Sequence, residues 1–320
     1  MTGRPEYRPV AILGVPTRFG TSYPGSERTP GLLRCLGTFR RLEQWAGTLS
    51  PPVLVEDAGD VAVPDAVWTP DGYPLRAADA VCAVAEAQAA RIGRLLAAGK
   101  APLVIGGDCT TMLGTAAGLH RAGRPFGLVS CDAHGDFNTA ETTPSGNIHG
   151  MTVAALAGRG AAPLVNLFGG DVTVLPARMV LLGVRDLDPP EAVALPAADV
   201  TVLAPGEIVR RGPRWCGERA LAIACGGGDA SPADGLLLHL DLDVLDPLVA
   251  PGVGLPVPGG LSLETLLETL DPLLSSGRLL AAEITEAAPV LDGSGRTAAN
   301  LELLLRRLVV ALSLGSGAIP

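Results

Sequence analysis

The stretch GLLLHLDLD, residues 235–243, decides the fold. Its apolar residues show no alternation, and such a run fits a strand covered on both faces. Six further short runs have the same character: VAILGV (10–15), PLVIGG (102–107), FGLVSCD (126–132), MVLLGV (179–184), TVLAP (201–205) and LAAEIT (280–285). Helical patterns lie between them. LRAADAVCAVAEAQAARIGRLLAAGK (75–100) is alanine-rich with a polar stripe. LSLETLLETLDPLLSSG (261–277) opens on a cap candidate, Ser262, and closes near Gly277. TAANLELLLRRLVVALSLG (297–315) is a third. Strands alternating with helices predict an α/β fold: three layers, doubly wound, with a mostly parallel sheet flanked by helices. The Gly/Pro-rich stretches 14–31, 205–214 and 226–233 read as loops, because the strand–helix rhythm continues across them. Residues 1–320 are therefore expected to form a single domain.

Composition supports this class. Apolar residues make up 48% of the 320 and aromatics only 3%, so the core rests on Ala, Val, Leu and Ile. That suits helices on a parallel sheet better than an aromatic-rich sandwich. The net charge is −9, with no basic run and no aromatic ladder, which argues against a nucleic-acid partner. No apolar run reaches the length of a membrane span. The opening MTGRPEYRPV lacks the apolar region of a signal peptide. A cytoplasmic protein with no membrane partner is expected. The six cysteines are scattered without a CxxC pair and are expected to be free thiols.

Ligands of open α/β sheets bind beyond the carboxyl ends of the strands. Three strand ends here carry metal-ligand side chains: GGDC with Cys109, CDAHGD with Asp132, His134 and Asp136, and LDLDVLDP with Asp241, Asp243 and, just behind, Asp246. In an extended chain i and i+2 share a side, which pairs Asp132 with His134 and Asp241 with Asp243. Carboxylates crowded in one cleft repel and raise each other's pKa unless cations hold them. Two divalent ions would do so, since carboxylates bridge a pair about 3.5–4 Å apart. Oxygen and imidazole donors suit Mn²⁺, with Fe, Co, Ni and Zn possible. A lone DxD is often a turn or cap, and a lone His134 an interior histidine. Their conjunction after apolar strands is what points to metal. Cys109 stays open at this point as packing filler, nucleophile or ligand.

These segments resemble the ureohydrolase (arginase/agmatinase) family. AILGVPTRFG with TPGLLR is similar to the family's opening strand and loop, VIGGDCT to its GGDHS motif, and DAHGDFNT to its DAHxD motif. LDLDVLDP with PGGL is similar to its SFDxDxxDP region, and EITEAAP to its last acidic strand. The resemblance implies a two-Mn²⁺ cluster on an arginase-like sheet, with Asp132 and Asp241 bridging both ions. It implies Asp136 and Cys109 as the remaining ligands of one ion, and His134 and Asp243 of the other. Glu286 would sit against the guanidinium, Asp136 near the attacking oxygen, and His149 would protonate the departing amine. DAHGDFNTAETTPSGNIHG (132–150) has the spacing of the arginase loop that reads an amino acid. By resemblance, Asn138, Ser145 and Asn147 would contact the α-carboxylate, and Asp188 in GVRDLDPPE the α-amino group. That set favours arginases over agmatinases, and a homo-oligomer, trimer or hexamer, follows from the same likeness.

Two positions depart from the pattern. The family has histidine where this chain has Cys109, and commonly threonine where it has Leu255. A thiolate is softer than imidazole and adds negative charge. Both changes surround the reacting group while the amino-acid contacts are kept. This suggests an altered head group on the same substrate backbone, namely Nω-hydroxy-L-arginine, hydrolysed to L-ornithine and hydroxyurea as in an antibiotic-biosynthesis branch of the family with this cysteine. L-Arginine, or another guanidino acid, is the alternative. A metal-depleted binding protein is the alternative of another class, and amidino transfer through a Cys109 nucleophile is a third reading.

Overall fold

Runs that are apolar on both faces must be covered on both sides, and the helices of this chain provide the cover. The computed structural model describes residues 7–65, 73–170, 172–226 and 233–314. In chain order come β1 (Val10–Val15), α1 (Thr29–Cys35), α2 (Thr38–Gly47), β2 (Val55–Asp60), α3 (Ala78–Ala97), β3 (Ala101–Gly106), α4 (Thr111–Arg121) and β4 (Phe126–Cys131). After a long loop follow α5 (Thr152–Leu156), α6 (Ala162–Val165), β5 (Met179–Leu182), α7 (Pro189–Ala197), β6 (Thr201–Leu203), α8 (Pro205–Arg211) and α9 (Pro213–Cys225). The chain then runs through β7 (Gly235–Asp241), α10 (Leu263–Leu274), β8 (Leu279–Thr285) and α11 (Arg296–Ser313). The eight strands form one sheet in the order β2-β1-β3-β8-β7-β4-β5-β6, and every pairing is parallel.

Each strand splits its side chains between two cores with period two. Val10 and Ile12 face one apolar cluster, shared with α2, α9, α10 and α11. Ala11, Leu13 and Val15 face the other, shared with α3 and α4. In β7, Leu236, Leu238 and Leu240 enter the first cluster and Leu237 the second. This is the doubly wound, three-layer arrangement.

Register brings the site together. Cys131 ends level with Leu240, Asp241 with Thr285, and Ile105 with Ile284. The carboxyl ends of β3, β8, β7 and β4 therefore stand side by side at the middle of the sheet, and the loops leaving them share one mouth.

Some elements differ from expectation. β2, reading VEDAGD, is a polar edge strand with only β1 beside it. Its Asp57 and Asp60 are held by Arg34 at 2.7 and 2.6 Å, so charge pairing takes the place of apolar burial. The stretch 205–214 is not a loop: it forms α8 and opens α9, with Pro205 and Pro213 in the first turns. Proline is well placed there, because its missing N–H would have had no helical partner. Of 226–233, residues 227–232 lie outside the described residues, as does Gly315 at the end of 297–315. Ser262 caps α10 as expected, accepting from the Thr265 N–H at 3.1 Å.

α4, reading TMLGTAAGLHR, carries two glycines inside a helix. Gly118 lets α4 lie tightly on α3, since a Cβ there would meet the Ile92 side chain at 2.5 Å. Gly93 on α3 has open space instead. Gly118→Ala is expected to cost about 1–3 kcal/mol through overpacking. Gly93→Ala is expected to add about 0.5–1 kcal/mol through helix propensity. Urea denaturation midpoints of the two variants check both signs.

Candidate active site

Four donor atoms, from Cys109, Asp132, His239 and Asp241, lie within 4.8 Å of one another, and all four residues are buried. A second group, Asp132, His134 and Asp243, shares Asp132 with the first. Turns, not a common strand face, make the convergence. β4 ends at Cys131 and β7 at Asp241. The Asp132 carboxylate accepts from the His134 N–H at 2.6 Å, and Asp241 accepts from the Asp243 N–H at 2.9 Å. Each first aspartate thus closes a turn that swings the second ligand type inward. Asp243 then accepts from the Ala133 N–H at 2.9 Å, joining the two loops. His134 Nδ1 stands 3.0 Å from Asp243 and 3.3 Å from Asp132. Cys109 Sγ donates to Asp241 at 2.9 Å.

The electrostatics of this cluster are lopsided. Burial first, and the neighbouring carboxylates next, push Asp132, Asp136 and Asp241 above the usual carboxylate range. Asp243 is the exception, because the His134 contact outweighs its burial and holds it low. Burial, then Asp241, drives the Cys109 thiol well up. His134 is raised, its two carboxylates overcoming burial. Cations among these carboxylates would relieve the same repulsion. The buried His134 Nε2 has no hydrogen-bond partner among the described residues. The donor set of oxygens, imidazole and one sulfur fits divalent ions.

A cavity of about 200 Å³ is lined among others by Cys109, His134, Asp136, His149 and Asp241. Asn138, Ser145, Asn147 and Asp188 line it too, with Tyr23 and Leu255. Asn138 Nδ2 donates to Asp188 at 2.8 Å, and Asn147 Nδ2 to Ser22 at 3.3 Å. Asp136 is part of neither donor group and accepts from the Thr152 hydroxyl at 3.1 Å. His149 Nδ1 is 3.1 Å from Glu286, which also accepts from the Cys109 N–H at 3.2 Å. Burial lowers the pKa of His149, but the Glu286 contact and the charges of Asp136 and Asp108 outweigh it and push it up to about 9. Asp136 and Glu286 have φ of 49° and 53°, a conformation costly without glycine and often kept where a site depends on it.

Three residues of the site escaped the sequence reading. His239 hid inside an apolar strand. Glu191 accepts from the Phe137 and Asp188 N–H groups at 2.8 and 3.1 Å, clamping the loop to α7. Its place three residues after Asp188 matches a capping box, the signal that could have found it. Arg185 donates to the carbonyls of Asp243 and Val257, both at 2.7 Å, and pins two loops with one guanidinium.

A model described as the Arginase family matches residues 8–310. The chain belongs to the arginase family. An arginase of Bacillus caldovelox is 35% identical, covering 94% of this chain and 98% of its own. One from Brevibacillus brevis is 36% identical, covering 90% and 93%. The crystal structure of an arginase from Bacillus cereus superposes with a TM-score of 0.83 at 33% identity, covering 94% and 98%. This arginase-family chain is thus a hydrolase of C–N bonds in linear amidines. The family depends on a binuclear metal centre, and the donor groups here form a metal-ligand cluster of that kind.

Metal removal has a signed consequence. Asp132, Asp136, Asp241 and His134 all sit above their unfolded pKa values in the metal-free fold. The metal-free fold therefore binds more protons than the unfolded chain, and it loses stability as pH rises above about 4. His134 adds to that slope above about pH 6.5. Chelation is expected to lower Tm by about 5 °C or more, and by more at pH 8 than at pH 5.5. Calorimetry with and without chelator at the two pH values checks this.

Proposed function

We propose that the chain hydrolyses the guanidino group of an arginine-type α-amino acid, with Nω-hydroxy-L-arginine preferred, giving L-ornithine and hydroxyurea. One observation carries this reading. One cavity is lined both by Asn138, Ser145, Asn147 and Asp188 and by Cys109, His134, Asp136 and Asp241. An amino-acid terminus and a guanidino head can be held there at once.

The residues divide the work. Asp188, already hydrogen-bonded by Asn138, is placed for an α-ammonium group, and the amide and hydroxyl donors of Asn138, Ser145 and Asn147 for an α-carboxylate. Asp132, Asp241, Cys109 and Asp136 would hold one ion, and Asp132, Asp241, His134 and Asp243 the other. When bound there, two divalent ions, Mn²⁺ first among the candidates, would supply hydroxide at neutral pH and Lewis acidity. Glu286 orients the guanidinium by a charge-assisted contact. His149, kept protonated by Glu286, gives its proton to the departing nitrogen. Leu255 in the cavity wall and the thiol at Cys109 make the head-group end softer and more apolar. That favours a hydroxyguanidine, which is less basic and needs less activation. L-Arginine is the second reading, favoured by the 35% and 36% identical relatives that are arginases.

The nucleophile reading of Cys109 gains one observation and loses another. Cys109, His149 and Glu286 donors do lie within 4.8 Å of one another. Yet burial and Asp241 raise the thiol, opposite to what a nucleophilic thiolate requires.

The test is kcat/KM with each substrate. Nω-hydroxy-L-arginine is expected to exceed L-arginine by about ten-fold or more, and agmatine to be poor; the reverse order overturns the head-group assignment. Asn147→Ala and Asp188→Ala are expected to raise KM about 10–100-fold with kcat nearly kept, which marks uniform binding. His149→Asn is expected to lower kcat by about 10²–10⁴. A purified protein without metal that binds the amino acid but shows no turnover would establish the binding-protein alternative.

A further inference from the structure

His239 is the one polar side chain in the middle of β7, fully buried among Leu236, Leu237, Leu238 and Leu240. Such a position demands a reason, because an unpartnered imidazole there is costly. Half of the reason is Glu283. It lies directly opposite on β8, is itself fully buried, and takes the Nδ1–H at 2.6 Å. This bond fixes the tautomer and leaves the Nε2 lone pair on the far side. One ring nitrogen of His239 lies within 4.8 Å of the donor atoms of Cys109, Asp132 and Asp241, and with Nδ1 engaged by Glu283 that role falls to Nε2. Its other neighbour is the Thr285 hydroxyl at 3.3 Å, which is also 3.8 Å from Cys109 Sγ and can turn to it.

We propose that His239 is a metal ligand of this chain, its Nε2 completing a Cys109–Asp132–Asp241 site from the floor of the sheet, with Glu283 as the outer carboxylate that aims it. The inference rests on the metal-dependent function proposed above. Three points support it. N, O and S donors bonded at about 2.0–2.3 Å across one cation stand up to about 4.6 Å apart, the scale of this group. A ligating histidine almost always donates its second ring N–H to a carboxylate or carbonyl, as His239 does to Glu283. A soft thiol beside an imidazole and two carboxylates is a mixed donor set that suits Co²⁺ or Zn²⁺ as well as Mn²⁺.

The experiment is metal binding by the full-length protein, read without turnover. Co²⁺ is titrated into metal-free wild type and the variants His239→Gln, Glu283→Gln and His120→Gln, with bound metal counted by mass spectrometry. The thiolate-to-Co²⁺ absorption band reports the Cys109 site. Wild type is expected to hold two ions per chain with that band. His239→Gln is expected to lose one ion and the band, Glu283→Gln to weaken that ion about 10–100-fold, and the exposed His120→Gln to change neither. Two ions and an intact band in folded His239→Gln overturn the proposal. Should His239→Gln not fold, the Co²⁺ form of wild type decides by proton NMR. Two hyperfine-shifted imidazole N–H signals, from His134 and His239, support the assignment, and one alone overturns it. Wild-type turnover of the two arginine substrates is measured in parallel. Turnover with an unaffected His239→Gln site sinks this inference and leaves the function standing, whereas a wild type that takes up no metal removes both.

Discussion

Four buried carboxylates, Asp132, Asp136, Asp241 and Asp243, occupy one small region at the centre of the sheet, and their mutual repulsion is the constraint around which the rest is arranged. In a medium that screens poorly, such charges require positive partners or protons. A parallel sheet is suited to create the crowding. It points all its carboxyl ends one way, and the order β3-β8-β7-β4 sets the four relevant ends side by side. Helices cover both faces, and the four carboxylates are buried, so their charges are poorly screened.

The loops hold this unfavourable arrangement in place through neutral contacts. Arg185 grips backbone carbonyls of Gly183, Asp243 and Val257 and forms no direct ion pair with the cluster. Its positive charge is present but committed to holding main chain. Glu286 is held in its costly backbone conformation by its N–H, which donates to the Gly107 carbonyl at 2.7 Å. Asp108, hydrogen-bonded by the Gly20 N–H at 2.7 Å, anchors the loop after β1, and Gly20 O accepts from the His149 N–H at 3.0 Å. This chain of hydrogen bonds ties the cavity rim to the donor cluster. Such preorganisation lets electrostatic stabilisation act without reorganisation during reaction.

The sequence showed the sheet through its unalternating runs and the site through DAHGD and LDLD. It hid three things for physical reasons. β2 is held by Arg34 and not by apolar burial, so it left no hydrophobic signature. α8 opens on a proline used for helix initiation, and its Gly/Pro-rich stretch read as a loop. His239 sits in an apolar run, where a lone histidine suggests an interior residue and only the cross-strand position of Glu283 reveals its orientation. The spacing of Asp132 with His134 and of Asp241 with Asp243 pointed to the right neighbours by the wrong geometry, since turns and not strand alternation bring them together. Asp136 lines the cavity but lies outside the tight donor groups.

The two borders of the sheet carry a further consequence. An open sheet border exposes unpaired N–H and C=O groups that template the addition of foreign strands. Here one border, β2, presents Glu56, Asp57 and Asp60, partly neutralised by Lys100 and Arg34, and the other, β6, is three residues long. One border repels a visiting strand by charge and the other offers it too little length to grip. The polar edge strand that was hardest to read therefore protects the molecule against edge-to-edge aggregation. Any contact between copies is left to the helical faces.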